Sequence, residues 1–214
     1  MAAGLGRLFV VAGPSGVGKG TVVRLVRERN PAIRLSVSAT TRAPRAGERE
    51  GVDYRFVSEE AFDRMIEAGE LLEWEEIFGH RSGTPAEPVR RALDAGIDVL
   101  LELDVTGARH VRGVIPRAVL ILLEPPTMQE VERRLRSRGT ETEEGLARRL
   151  AKADRELEQR DAFDVVIVND DAERAADEVA AIIDASAQVD GLPEATRGGH
   201  AKGEGTEEKG SSNP

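Results

Sequence analysis

The chain has 214 residues, of which 40% are hydrophobic and 32% charged, and its net charge is −9 at pH 7. These values are typical of a soluble globular protein that is long enough for one α/β domain with a substantial core. The net negative charge argues against general binding to nucleic acid or anionic membranes. No apolar run reaches the roughly 18 residues of a membrane span, and no secretion signal is recognisable. The lack of cysteine excludes disulfides and thiolate metal sites.

Apolar and polar segments alternate along the chain in the manner of strands followed by helices. Strands or extended segments are predicted at 7–12, 33–38, 54–57, 71–77, 97–103, 119–123 and 165–168. Helices are predicted at 21–29, 58–68, 85–95, 127–137, 143–159 and 172–184, with Ser58 as an N-cap and with Gly69 and Gly96 as stops. The segments at 97–103 and 119–123 are almost continuously apolar, which favours a parallel sheet covered on both faces.

A glycine-rich segment, Gly13-Pro-Ser-Gly-Val-Gly-Lys-Gly-Thr21, joins the first predicted strand to the first predicted helix. Glycines let the backbone curl so that several N–H groups face one anion, and the helix adds its positive N-terminal end. The lysine supplies a cation for the β- and γ-phosphates of a nucleotide. A plain turn with a surface lysine is the alternative, which the strand–turn–helix context disfavours. The predicted phosphate-binding residues are Gly13, Ser15, Gly16, Gly18, Lys19, Gly20 and Thr21.

Gly20 occupies the position after the lysine, where a phosphate loop usually carries a Ser or Thr that binds Mg²⁺. Thr21 follows one step later. The sequence therefore predicts a phosphate loop but leaves the protein ligands of the metal unknown.

Two arginines, Arg42 and Arg45, lie in a turn-rich segment that runs from 39 to 53. A guanidinium group binds phosphate in a bidentate manner, with two N–H groups donating to two oxygens, and the nearby Tyr54 offers a neutral hydroxyl donor. An exposed basic loop explains this motif equally well when it is taken alone. The phosphate loop upstream shifts the balance toward a second phosphorylated ligand.

Together these motifs resemble the guanylate kinases, which transfer a phosphoryl group from ATP to GMP. The matching segments follow the family's order and spacing over about residues 7–185. They are the phosphate loop, Ser36-Val-Ser-Ala-Thr-Thr-Arg-Ala-Pro-Arg45, Gly51-Val-Asp-Tyr54, Leu72-Glu-Trp74, Ser82-Gly-Thr84, Arg138-Gly-Thr-Glu-Thr142 and Val168-Asn-Asp-Asp171.

The resemblance implies a P-loop NTPase fold, a three-layer α/β sandwich with a central parallel sheet. The catalytic domain is expected at 1–187, with a small GMP-binding subdomain at about 37–95 and a helical lid at about 127–160. Residues 188–214 are rich in Gly, Glu, Lys, Ser and Thr, a composition that predicts a disordered tail.

The resemblance also implies a guanine site. Glu73 matches the family's base-reading glutamate, whose two oxygens accept from guanine N1–H and the N2 amine. Ser38 and Thr84 match hydroxyls near the base, and Asp104 matches a carboxylate that either reads the base or orients the site. Arg42, Arg45 and Tyr54 match groups that hold the GMP phosphate. A site built for these donors can reject a base that lacks them by about 10⁴-fold. Taken without the resemblance, Glu73 reads as an exposed charge in an acidic run.

For the donor side, the resemblance implies ATP with Mg²⁺. Arg138 and Arg149 match lid arginines that neutralise the transferring phosphoryl group, Arg134 matches a residue that packs on adenine, and Asn169 matches an adenine contact. The expected catalytic set is Lys19, Arg42, Arg138 and Arg149. A salt-bridged, solvated helix face is the alternative for the lid arginines, and we prefer it for Arg133, Arg136 and Arg148.

One departure from the family concerns Arg81 and Ser82, which stand where many members have two tyrosines. The second of those tyrosines helps to hold the GMP phosphate, and Arg81 is a hypothetical replacement for it.

Two other functional classes remain open from the sequence. One is a non-catalytic guanylate-kinase-like binding module, and the other is a kinase for another small phosphorylated acceptor. With ATP and GMP as the only expected partners, a cytoplasmic location follows from the assigned function. The oligomeric state is not written in these motifs.

Overall fold

The computed structural model describes residues 4–77, 79–137 and 142–190. Its strands are β1 Leu8–Ala12, β2 Arg34–Leu35, β3 Ala39–Thr40, β4 Arg55–Phe56, β5 Leu71–Ile77, β6 His80–Pro85, β7 Val99–Leu103, β8 Val119–Glu124 and β9 Val165–Val168. Its helices are α1 Lys19–Arg29, α2 Glu59–Glu67, α3 Ala86–Asp94, α4 Val105–Val114, α5 Met128–Ser137, α6 Glu143–Leu157 and α7 Ala172–Asp190, and a short 3₁₀ helix spans Arg160–Ala162.

A five-stranded parallel sheet in the order β2-β7-β1-β8-β9 forms the centre of the fold. The alternation of side chains along β1 explains why helices cover both of its faces. Phe9 and Val11 pack with residues of α1 and α7, whereas Leu8 and Val10 pack with residues of α3 and α4. The result is the predicted three-layer α/β sandwich, with the loops after β1 and β7 at the same edge of the sheet.

A smaller sheet in the order β4-β3-β6-β5 lies within the range expected for the GMP-binding subdomain, about 37–95. Phe62 and Met65 of α2 pack against Ala39 of β3 in a separate small core. Helix α3 packs instead in the main core, through Val89 and Leu93.

Helices α5 and α6 lie in the expected lid range. Val131 and Leu135 of α5 pack on Leu146 of α6 in a cluster of their own. Thr142 caps α6 by accepting from the N–H of Gly145, at 3.1 Å. The connection between the two helices, which contains Arg138, lies outside the described residues.

Three elements escaped the sequence prediction: β3, β6 and α4. Helix α4 contains Gly107 and Gly113, which weaken its helical signal, and tertiary packing of Val105 and Val111 compensates. Strands β3 and β6 are short or polar and gain their definition from pairing with each other. Helix α7 extends to Asp190, past the predicted end at 184.

The remainder of the predicted tail, from 191 onward, lies outside the described residues. Within the described part of the chain, no helix is both long and apolar enough to cross a membrane.

Candidate active site

The phosphate loop has the backbone shape that an anion cradle requires. Gly13, Gly16 and Gly18 have positive φ values of 154°, 85° and 100°, which residues with a Cβ rarely adopt. A Cβ on Gly13 would lie 2.5 Å from the carbonyl oxygen of Leu123, and one on Gly18 would lie 2.7 Å from Nδ2 of Asn169. The loop therefore depends on glycine at both positions, and it delivers the chain to the N-terminus of α1 at Lys19.

Lys19 lies over this loop. Its Nζ donates to the carbonyl oxygens of Gly13, at 2.5 Å, and Pro14, at 3.2 Å. Burial lowers the pKa of Lys19, and the charge of nearby carboxylates, first that of Glu102, opposes the shift. Backbone carbonyls are exchangeable partners, so a phosphate that reaches this ammonium gains a cation that is already positioned.

A cavity of about 320 Å³ extends from the phosphate loop to the small sheet. Its wall contains six carboxylic acids and three cations, in addition to Ser38, Tyr54 and Ser82. The acids are Asp53, Glu73, Glu75, Glu102, Asp104 and Glu156, and the cations are Lys19, Arg149 and Lys152. One cavity thus joins a phosphate-binding end to an end rich in hydrogen-bond acceptors.

Glu73 of β5 lies at the acceptor-rich end and is buried, with 6% of its surface exposed. The hydroxyl of Thr84 on β6 donates to its Oε1 at 2.6 Å. Burial, assisted by the charge of Asp104, raises the pKa of Glu73 to about 7 against the hydrogen bond from Thr84. Oε2 approaches Gly107 of α4, where a Cβ would lie only 3.0 Å away. The fold therefore buries the Glu73 carboxylate at the cavity wall, and a side chain at position 107 would crowd it.

Asp104 directly follows β7 and caps α4. Its Oδ1 accepts from the N–H of Gly107 at 2.7 Å, and its Oδ2 accepts from Nζ of Lys152 at 2.9 Å. Burial opposes ionisation, but hydrogen bonds from Glu75, Gly107 and Lys152 hold the pKa of Asp104 below its ordinary value. Asp104 is consequently an anionic acceptor at the cavity wall.

Of the predicted arginine pair, Arg42 lies next to the cavity, through its contact with Tyr54. Arg42 donates to Oε1 of Glu48 at 2.8 Å and to the carbonyl oxygen of Ala43 at 2.7 Å. Its guanidinium lies 5.2 Å from the ring centre of Tyr54, whose side chain lines the cavity. The side chain of Arg45 is exposed, and its backbone N–H donates to the same glutamate at 2.7 Å. Glu48 thus organises the loop that carries both arginines.

The hypothesis that Arg81 replaces the missing tyrosine is not supported by its position. Its guanidinium is occupied by Glu59 and Asp63 of α2 and lies 5.1 Å from the ring centre of Phe62. Ser82 faces the cavity instead, with its hydroxyl 3.3 Å from the carbonyl oxygen of Ala39. Side chains alternate along β6, so Arg81 and Ser82 point to opposite faces.

Of the two predicted lid arginines, Arg149 is described. Its Nη1 donates to Oγ of Ser15 in the phosphate loop at 3.0 Å. This contact places a guanidinium from α6 at the phosphate end of the cavity. The other arginine, Arg138, lies outside the described residues.

A second cavity, of about 280 Å³, lies on the other side of the phosphate loop between Arg134 and Asn169. The two side chains donate to the same acceptor, the carbonyl oxygen of Val17, at 2.8 and 2.7 Å. Among the described residues, no hydrogen-bond partner reaches Oδ1 of Asn169, although the side chain is buried. An unused buried acceptor beside a guanidinium suits a planar ligand that carries an amino group.

Glu102 was missed by the sequence prediction. It follows three apolar residues in β7, and its side chain lines the cavity. A Cβ placed on Gly20 would lie 3.6 Å from its Oε1. The carboxylate is solvent-accessible, yet the concave wall around it desolvates it enough to raise its pKa. Its acidic character in an otherwise apolar strand was the available signal.

Comparison with known proteins identifies the family. The guanylate kinase family model matches residues 5–186. The chain belongs to the guanylate kinase family.

Relatives and solved structures agree with this family. A guanylate kinase of Nocardia farcinica is 60% identical over 83% of this chain and 93% of its own length. A guanylate kinase of Rhodococcus jostii is 56% identical, over 83% of this chain and 87% of its own. The crystal structure of guanylate kinase from Anaplasma phagocytophilum aligns with a TM-score of 0.71 at 35% identity, covering 87% of this chain and 88% of that one.

The predicted guanylate kinase family, the α/β P-loop fold and the assignment as an enzyme of this kind are confirmed by these comparisons. Among the charged residues that line the cavity of this guanylate kinase family member, four lie outside the matched motifs and were not singled out by the sequence interpretation. They are Glu75, Glu102, Lys152 and Glu156.

Proposed function

We propose that this protein transfers the terminal phosphoryl group of ATP to GMP, yielding ADP and GDP. The observation that carries the proposal is the single cavity that runs from Lys19 in the phosphate loop to the buried pair Glu73 and Thr84. Such a cavity holds a phosphate at one end and a hydrogen-bonding base at the other.

Guanine fits the acceptor-rich end because its N1–H and N2 amine are adjacent donors. The ionised form of Glu73 accepts both, and Thr84 holds the carboxylate in place from the opposite side. Asp104 and Ser38 supply further polar groups at the wall. Adenine offers an acceptor at N1 and no N2 amine, so AMP leaves the remaining acceptor sites of the buried carboxylate, those not used by Thr84, without a donor.

The GMP phosphate is held by Arg42, Arg45 and Tyr54. Arg42 exchanges part of its contact with Glu48 for phosphate oxygens, and it remains stacked on Tyr54. The two arginines present a fork that matches the geometry of a phosphate. This group directs the phosphate, which is the nucleophile, toward the phosphate loop.

ATP occupies the other side of the loop. Arg134 packs on adenine, and the unused Oδ1 of Asn169 accepts from the adenine amino group. The triphosphate is held by backbone N–H groups from Gly13 to Thr21 and by Lys19.

Phosphoryl transfer requires alignment and charge stabilisation more than covalent help. Lys19 and the lid arginines Arg149 and Arg138 compensate charge on the transferring group, with Arg149 already at Ser15. Closure of the lid, about residues 127–160, over the GMP-binding part, about 37–95, excludes the water that would otherwise hydrolyse ATP. All of these residues belong to the catalytic domain at 1–187, and the protein acts in the cytoplasm, where both substrates occur.

The donor set around Gly20 fits Mg²⁺, which binds proteins through one or two carboxylates and takes its other ligands from phosphates and water. Glu102 offers such a carboxylate beside Gly20, and Thr21 follows with a hydroxyl. Among the described residues, no group of three or more His, Cys, Asp or Glu side chains has the arrangement of a self-sufficient metal site. When bound with ATP, Mg²⁺ neutralises charge on the phosphate oxygens.

A metal role for Glu102 predicts that Glu102→Gln raises the Mg²⁺ concentration required for half-maximal turnover about tenfold, because an amide is a weaker ligand. Gly20→Ser restores the hydroxyl that Gly20 lacks, has space for a Cβ, and should lower this requirement. Both values come from turnover measured across a Mg²⁺ titration at fixed ATP. An unchanged requirement in Glu102→Gln would remove Glu102 from the metal site.

The experiment that tests the proposed reaction follows its products. Purified protein with Mg-ATP and GMP should form ADP and GDP in equal amounts, as measured by chromatography. Formation of ADP with inorganic phosphate and without GDP would identify an ATPase instead. Binding of both nucleotides without any product would favour a binding module.

A further inference from the structure

Lys152 of α6 connects three parts of the molecule at one ammonium group. Its Nζ lies 2.9 Å from Oδ2 of Asp104, 3.5 Å from Oε2 of Glu75 and 3.4 Å from Oε1 of Glu156. Asp104 directly follows a strand of the central sheet, Glu75 belongs to the small sheet, and Lys152 and Glu156 belong to the lid range. The lid range therefore contacts the end of the cavity that is rich in hydrogen-bond acceptors, and it does so through Lys152.

The surroundings explain why a cation is needed there. Glu73, Glu75, Asp104 and Glu156 all line the same cavity, and Glu156 is 4% exposed. Burial and the neighbouring Asp104 raise the pKa of Glu75 to about 8. Asp104 and the neighbouring carboxylates raise the pKa of Lys152 in turn, against the effect of burial. Lys152 is thus a cation around which these acidic side chains are arranged.

Helix geometry ties this contact to the phosphate end of the cavity. Arg149 and Lys152 are three residues apart on α6 and therefore share a face of the helix. Arg149 reaches Ser15 of the phosphate loop, and Lys152 reaches Asp104. One helix consequently contacts both the phosphate and the base ends of the cavity.

We propose that Lys152 is a positioning residue for the GMP site, acting through its contact with Oδ2 of Asp104 to hold that carboxylate directed at the guanine base. The inference rests on the proposed function, in which Asp104 faces guanine. It extends that function to a residue of the lid, so that the lid takes part in recognition of the base as well as in phosphate chemistry.

Lys152→Met keeps the length of the side chain and removes its charge. The KM for GMP should rise about tenfold, the effect of losing one hydrogen bond to a charged group. The kcat should stay within about threefold and the KM for ATP should not change, because the phosphate end is left intact. Lys152→Arg should restore most of the affinity for GMP.

Arg148→Met is the matched control. It removes one cation from the same helix, and Arg148 is exposed, with Glu144 as its ion-pair partner at 3.6 Å. The KM for GMP should be unchanged in this variant. A rise equal to that of Lys152→Met would indicate a general charge effect and overturn the proposal.

A double-mutant cycle tests whether Lys152 acts through Asp104. Asn is also a good N-cap, so Asp104→Asn keeps the start of α4. Lys152→Met should add little to the KM for GMP in the Asp104→Asn background. Full additivity, or an unchanged KM in the single variant, would overturn the proposal.

Calorimetry of GMP binding separates this inference from the proposed function, because it requires no turnover. If the unmodified protein forms GDP and Lys152→Met binds GMP normally, only the positioning role fails. If the unmodified protein binds GMP but forms no GDP, the proposed reaction fails, and the binding data still decide the role of Lys152.

Discussion

Lys19→Met should lower kcat by about 10³-fold or more, in the range expected when a preorganised charge at the transferring group is lost. Methionine is close to lysine in length and lacks the charge, so the substitution preserves side-chain packing against the phosphate loop and removes the cation. The dissociation constant for GMP should change less than about threefold, because the guanine end is formed by other residues. Steady-state kinetics with calorimetry of GMP binding measures both effects.

The control for this result addresses the loop itself, since Nζ of Lys19 also bonds to the carbonyl oxygens of Gly13 and Pro14. Thermal unfolding of Lys19→Met shows whether loss of these bonds destabilises the protein. A stable Lys19→Met protein that retains most of its turnover would refute the assigned role. An equal loss of GMP affinity and turnover would indicate that Lys19 acts in GMP binding and not at the phosphates of ATP.

Glu73→Gln should lower kcat/KM for GMP by about 30- to 10⁴-fold, if the two hydrogen bonds to the base contribute about 1–3 kcal/mol each. The amide keeps the shape of the side chain and replaces one acceptor by a donor, which opposes a donor of guanine. Turnover at saturating GMP should suffer less than kcat/KM. Equal kcat/KM values for the two proteins would exclude Glu73 from base recognition.

Ionisation of Glu73 should make the KM for GMP depend on pH. Since the pKa of Glu73 is about 7 in the folded protein, the group loses its second acceptor as pH falls below that value. The KM for GMP should therefore rise by up to about tenfold per pH unit below pH 7, the slope of one linked proton. Titration of the GMP phosphate contributes in the same range, and Glu73→Gln isolates that contribution because it lacks the carboxyl group. Equal pH slopes in both proteins would contradict the assignment.

Folding stability should follow the opposite trend. The folded protein keeps a proton on Glu73 up to about pH 7, whereas an unfolded chain releases it near the usual 4.5. The folded state therefore binds more protons between these values, so the contribution of Glu73 to stability falls as pH rises through that window. Denaturant unfolding of the unmodified protein and Glu73→Gln at pH 5 and pH 8 measures this difference.

Local signals made the central sheet and the phosphate loop predictable. Strands such as β1 and β8 are continuous apolar runs, and the loop places its glycines and Lys19 within one short segment. Helix α4 and strand β6 were missed because their order depends on tertiary packing and pairing, which local propensity does not report.

The candidate site was predictable only in part, for a related reason. Glu73 looks like one member of an acidic run, and its burial beside Thr84 arises from the pairing of β5 with β6. The contact between Lys152 and Glu75 joins segments that are far apart in sequence. No local pattern predicts that two such residues meet, so the family resemblance pointed to Glu73 as the proposed base-reading glutamate, and the structure added Lys152.

The most direct test of the account measures ADP formation from Mg-ATP with GMP, AMP, UMP or no acceptor, in parallel, for the unmodified protein. We expect strong turnover with GMP and none above background in the other three reactions. Comparable turnover with AMP or UMP would contradict the guanine assignment while keeping a kinase. Absence of turnover with every acceptor, in protein that binds ATP and GMP, would contradict the catalytic function itself.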